Sequence, residues 1–177
     1  VVMNLAIGLI LLAVVAVVGM PQLVPNQFTV KSDTKVLRNE VLAGYVDAGS
    51  PAAKAGLKST DHLVSITESP AADSAKQNAI KAPANGVAFE KTDDLLHATK
   101  RYAGRAVYVN YYHKGAFHSA RTTLLDAKTV QASQKTDTPK GYLGVVPVAY
   151  SLQRSTWSAP VVAVGLTGQL TALTFQG

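Results

Sequence analysis

Four histidines, His62, His97, His113 and His118, are the side chains of this sequence best suited to metal binding or acid–base chemistry. None belongs to an H-E-x-x-H segment, the pattern that sets two imidazoles one helical turn apart on a shared metal with a glutamate as general base. His113 and His118 flank an expected hairpin turn at Lys114-Gly115 and can approach one another. No Asp or Glu lies within that turn, so a surface pair is the plainer reading. Serines are plentiful, yet no G-x-S-x-G nucleophile elbow occurs. Cysteine is absent, which excludes disulfides and thiolate ligands. No residue is therefore assigned as catalytic or as a metal ligand.

Binding is what remains, and composition says where it can occur. Hydrophobic residues make up 47% of the chain and charged residues 16%, against about 25% charged in an ordinary soluble domain. Val1–Met20 and Ser155–Gly177 carry no charge, so the net charge of +6 belongs to the middle of the chain. An ordinary solvated surface accounts for it, and attraction to anionic lipid headgroups is the functional alternative. No Lys/Arg run interleaves with aromatics as a nucleic-acid groove requires, so nucleic acid is not an expected partner.

Val1–Met20, VVMNLAIGLILLAVVAVVGM, reads as a transmembrane helix. Twenty helical residues span about 30 Å, the hydrocarbon thickness of a bilayer. A signal peptide would need a basic n-region and an A-x-A-like cleavage site, and neither is present. Asn4 is the one clearly polar residue, and such a residue is expected to face a neighbouring helix. The chain starts at Val1, already in apolar sequence, which suggests a fragment. Residues 21–40 form an exit linker, with two prolines in Pro21–Asn26 ending the helix, and a first strand.

An α+β domain is expected over 41–150. Val41–Val46 is a short apolar strand. Ser50 is a helix N-cap, Pro51 fits the first helical position, and Gly56 fits a left-handed C-terminal cap. Leu63, Val64 and Ile66 begin the next strand. Residues 68–90 read as an irregular insertion. Thr92 offers an N-cap to a helix with Leu95, Ala98, Thr99 and Tyr102 on one face. Arg105–His113 and Ala116–Leu125 form a hairpin, Ala127–Lys140 a polar linker, and Gly141–Val148 another strand. In Ser158–Gly177, Thr167, Gln169, Thr171 and Thr174 make the segment too polar for an evident membrane span. An interfacial helix, or the approach to a further transmembrane helix, is expected over 151–177.

The segment DAGSPAAKAGLKSTDHLVSI resembles the PDZ signature of bacterial proteases, with matches at Gly49-Ser50-Pro51-Ala52 and Ala55-Gly56-Leu57. Thr60 stands where the signature has Gly before Asp61, and Thr67-Glu68 where it has Asn-Gly. The flanking VVMNLAIGLILLAVVAVVGMPQ and GYLGVVPVAY resemble the surroundings of the PDZ domain in site-2 proteases, the intramembrane zinc metalloproteases of regulated intramembrane proteolysis. Asn4 would then be the Asn of a Gly-Pro-x-x-Asn-like motif. The resemblance implies a PDZ-like, partly open β-barrel with two helices, preceded by a transmembrane helix. It implies a multi-pass cell-membrane metalloendopeptidase, an extracytoplasmic PDZ domain, and zinc held by ligands outside this chain, so that the fragment alone is inactive. The expected partners are the lipid bilayer and membrane-anchored substrates or their C-terminal peptides. Tyr142-Leu143-Gly144-Val145 resembles the carboxylate-binding loop of PDZ domains, with Leu95 and Thr99 on the facing wall or simply in the core. A membrane-tethered PDZ adaptor without catalytic activity is the alternative, and a PDZ serine protease fragment a third.

Overall fold

The computed structural model describes residues 2–24, 26–71 and 86–176. Residues 72–85, most of the expected insertion, lie outside the described residues. The elements are α1 (Val2–Val18), β1 (Met20–Pro21), β2 (Lys35–Val46), α2 (Pro51–Lys54), β3 (His62–Thr67), β4 (Gly86–Ala88), α3 (Thr92–Arg101), β5 (Ala106–His113), β6 (Ala116–Thr123), α4 (Ala127–Ser133), β7 (Val145–Arg154) and α5 (Ala159–Gln176). This is an α+β chain with antiparallel pairing. It divides into two compact units, one of Val1–Asn39 with Tyr150–Gly177 and one of Glu40–Ala149.

In the second unit the strands run in the order β7-β2-β3-β5-β6, with β4 also on β3. The sheet follows an open path: among the described residues β6 pairs only with β5. One face packs on a core of Val41, Leu63, Ile66, Val107 and Val109, each fully buried, with Leu95 and Ala98 of α3 and its C-cap Tyr102. α2 forms as its sequence dictates. Ser50 Oγ accepts from the Ala53 N–H at 3.1 Å, Pro51 opens the helix, and Gly56 closes it at φ +84°. Lys114 and Gly115 both adopt positive φ, 49° and 82°, the geometry of a primed two-residue hairpin turn.

Three expectations change in this unit. α3 begins at Thr92 itself, because Asp94 reaches back and accepts from the Lys91 and Glu90 N–H groups at 2.8 and 2.9 Å, which leaves Thr92 no capping role. Part of the expected linker 127–140 is helix α4, capped by Asp126, whose carboxylate accepts from the Thr129 N–H at 2.7 Å. The last strand begins at Val145 rather than Gly141 and continues to Arg154; residues 141–144 form a loop. Thr60, in place of the usual Gly, adopts φ +74°, a left-handed conformation that is strained for a β-branched residue.

In the first unit α1 packs on α5 through Leu12, Ala16, Ala159, Val162 and Leu166, joined by Met20 of β1. β1 pairs with the end of β7, Met20 opposite Gln153 and Pro21 opposite Leu152. Asp33, buried, secures the start of α5. Its carboxylate accepts from the Ser158 hydroxyl at 2.6 Å and the Ser158 N–H at 3.0 Å, and from both the N–H and the hydroxyl of Thr156. Desolvation pushes this carboxyl up, but the Ser158 and Thr156 bonds outweigh it and hold it well below the usual carboxylate range. Alongside, the Thr34 and Ser155 hydroxyls are 2.8 Å apart, and the Ser155 N–H donates to Ala16 O at 2.9 Å. α1 has 17 residues. No helix among the described residues is long and apolar enough to cross a membrane. Asn4 is exposed on α1, and its side chain makes no hydrogen bond among the described residues.

Candidate peptide-binding groove

The site is built outward from the loop Gly141–Gly144. Three successive carbonyls are fixed by different elements. Tyr142 O accepts from Leu125 N at 2.9 Å, Leu143 O from Ala52 N at 3.0 Å, and Gly144 O from Asp47 N at 2.9 Å. Ala52 lies in the first turn of α2, where N–H groups have no partner inside the helix. The Ser50-Pro51-Ala52 signature thus anchors this loop by lending it a spare donor.

With its carbonyls held, the loop turns its amides elsewhere. The N–H groups of Leu143 and Gly144 donate to no acceptor among the described residues. Consecutive free amides of this kind are an anion-binding arrangement. Gly144 has φ +75°, and a Cβ there would collide with the Cβ and hydroxyl of Ser50. Glycine is therefore required by the packing of the loop on α2.

Val145–Ala149 continues the loop as a strand with one open edge. Gly144 O points to β2, and Val146 O lies beside Gly44 of β2. By alternation, the backbone groups of Val145, Pro147 and Ala149 point the other way. No strand pairs with that edge over 145–149 among the described residues. Pro147, which has no N–H to donate, is tolerated there because the edge is open.

Facing this edge across a cavity of about 180 Å³ is α3. All six residues expected to form the groove, Tyr142, Leu143, Gly144, Val145, Leu95 and Thr99, line this one cavity. They contribute unequally. Leu95, Thr99 and Leu143 are almost wholly buried, and Leu95 and Leu143 also belong to the core. The Thr99 hydroxyl is spent on Leu95 O and Leu96 O at 2.8 and 3.1 Å, so it offers the cavity its methyl group. Tyr102 packs in the core and does not line the cavity. Six residues not expected from the sequence join the lining: Leu96, Val130, Gln134, Lys140, Gly141 and Pro147. Val130 and Gln134 come from α4 and its C-cap, and the Asp126 cap with a helix-forming run behind it was the signal for them. Lys140 is the one charged side chain among the described lining residues. The site thus offers amide donors, a cation, an open strand edge and apolar walls.

The histidines are elsewhere in the unit. His113 Nδ1 lies 2.6 Å from Asp61 Oδ1, and the rings of His113 and His118 are 6.4 Å apart. Asp61 is distant in sequence, so the plain surface pair acquires a buried carboxylate partner. The same Asp61 accepts from the Lys58 N–H at 2.9 Å and closes the turn before β3.

Compared with known proteins, the chain matches no family model and no curated sequence.

Proposed function

We propose that Glu40–Ala149 is a PDZ-like domain that binds C-terminal peptides by strand addition, and that the chain is a piece of a site-2-type intramembrane zinc metalloprotease in which this domain screens substrates. The observation that carries the binding reading is the loop Gly141–Gly144, with carbonyls pinned to α2, β2 and the end of β6 and amides left free beside an open strand edge. A peptide carboxylate would sit on the Leu143 and Gly144 amides near Lys140. Its backbone would pair with Val145, and its last side chain would enter the cavity against Leu95, Leu143 and Val130. The cavity suits one aliphatic side chain.

The protease reading is supported by the sequence resemblance of the flanking segments. The zinc would be held by residues outside this chain, and no residue here is given a role in the cleavage step. Membrane seating of the first unit is supported by its uncharged helices. α1 exposes Ile7, Ile10, Leu11, Val14 and Val18, side chains that would be costly in water.

Two measurements test the parts separately. Fluorescence polarisation with peptides ending in an aliphatic residue should give binding that falls at least about tenfold when the C-terminus is amidated, since a charge-assisted contact is lost. Equal binding of acid and amide would overturn the groove assignment. The open reading frame around this segment should encode H-E-x-x-H before Val1; its absence would leave a tethered adaptor and sink the enzyme reading.

A further inference from the structure

The charges of the first unit are arranged in one place and with one sign. Its charged residues are Lys31, Lys35, Arg38, Arg154 and Asp33. Asp33 is buried under α5, so every exposed charge of the unit is basic. Arg38 is engaged within the protein. The others gather at one end of the helix pair. Arg154 precedes Ser155, which bonds to Ala16 near the C-terminus of α1, and Lys31 and Lys35 flank the Asp33 clamp on the start of α5. The opposite end, at Val2 and Phe175, has no charge and exposes both residues above 80%.

The polarity of α5 does not bar it from lipid. Thr167, Thr171 and Thr174 donate to the carbonyls four residues back, Ala163, Thr167 and Leu170, at 2.7–2.9 Å. Gln169 accepts from the Phe28 N–H at 2.8 Å and donates to Asn26 O at 3.1 Å. Each of these polar side chains is satisfied inside the protein, which is the condition for tolerating it in hydrocarbon. Trp157, the only tryptophan of the chain, is 68% exposed at the basic end, just before α5.

We infer that the first unit seats α1 and α5 in an anionic phospholipid bilayer, with Lys31, Lys35 and Arg154 against lipid phosphates and Trp157 at headgroup level. The inference rests on the membrane seating proposed above and adds to it the lipid charge and the depth. Charge complementarity selects the occupant: an apolar body with a basic collar and no exposed acid matches an anionic membrane surface.

Trp157 gives a direct readout. The full chain, diluted from detergent, is offered vesicles of phosphatidylcholine alone or with phosphatidylglycerol. Its emission should shift to the blue, and spin labels near the headgroup should quench it more than labels deep in the acyl chains. Partition should be stronger into the anionic vesicles. The K31Q/K35Q/R154Q variant should lose that preference by about a hundredfold, roughly fivefold for each charge near the surface, with neutral-vesicle partition and thermal unfolding unchanged. Equal partition into both vesicles, or a preference untouched by the triple variant, overturns the collar while leaving membrane seating intact. Deeper quenching of Trp157 by acyl-chain labels overturns its headgroup position. Failure to bind either vesicle overturns both the inference and the seating it rests on.

Discussion

The two units dispose of their polar and apolar groups in opposite ways. In the second unit the apolar side chains turn inward, and its exposed large apolar residues are only Tyr45, Leu96, Val146 and Val148 among those described. In the first unit large apolar side chains are exposed along α1, while Asp33, Ser155 and Ser158 are buried and bonded to one another's segments. Both units obey one rule, that polar groups find partners wherever water cannot reach them. The rule yields opposite surfaces here: the second unit keeps its apolar groups inside, and the first keeps its polar cluster inside and its apolar groups out.

The largest expected effect tests whether the inward polar cluster holds the first unit together. Asp33→Asn leaves some of the four donors on Thr156 and Ser158 unpaired, and should abolish amide protection at the start of α5 while leaving β3 and β5 protected. Hydrogen exchange read by region checks this. The pH dependence has a definite sign. Asp33 has a depressed folded pKa, so its contribution is fully present above the ordinary carboxylate pKa near 4 and is lost as pH falls below it, when the unfolded carboxyl takes up its proton first. α5 protection should decline on acidification in the natural protein and much less in the variant.

Next in size is Gly144→Ala in the second unit. A left-handed residue with a Cβ against Ser50 should cost about 3 kcal/mol in denaturant unfolding. A cost below about 1 kcal/mol would mean that the loop is not anchored on α2. Thr60→Gly relieves the left-handed backbone at this β-branched residue and should stabilise the unit by about 1 kcal/mol. The smallest effect sharpens the groove itself. Pro147→Ala restores an N–H on the open edge of β7 and should tighten peptide binding severalfold, the worth of about one hydrogen bond. An unchanged affinity would place the peptide off that edge.

What could be read from the sequence was local. The Ser50-Pro51 cap, the Gly56 stop, the Lys114-Gly115 turn and the α3 face of Leu95, Ala98, Thr99 and Tyr102 are each set within a few residues, and each appears in the structure. What escaped depends on distant partners. Asp33 meets Thr156 and Ser158 across more than a hundred residues. The threonines and Gln169 of α5 read simply as polar in sequence, and their bonds to Ala163, Thr167, Leu170, Phe28 and Asn26 appear only in the fold. α4 was hidden because the polar run around it, Gln131–Lys140, outweighs its short apolar face at Val130. The six residues expected from the sequence line one cavity because the loop and α3 each have local signatures, whereas Lys140 and Pro147 acquire meaning only from the direction of the strand edge.

The claim that the pinned loop is a carboxylate site is tested most directly by amide NMR of the chain titrated with one peptide as free acid and as amide. The Leu143 and Gly144 amide resonances should move strongly downfield with the acid, as free N–H groups acquire an anionic acceptor, and stay near their starting positions with the amide. Equal shifts with both peptides, or shifts that spare Leu143 and Gly144, would contradict the account.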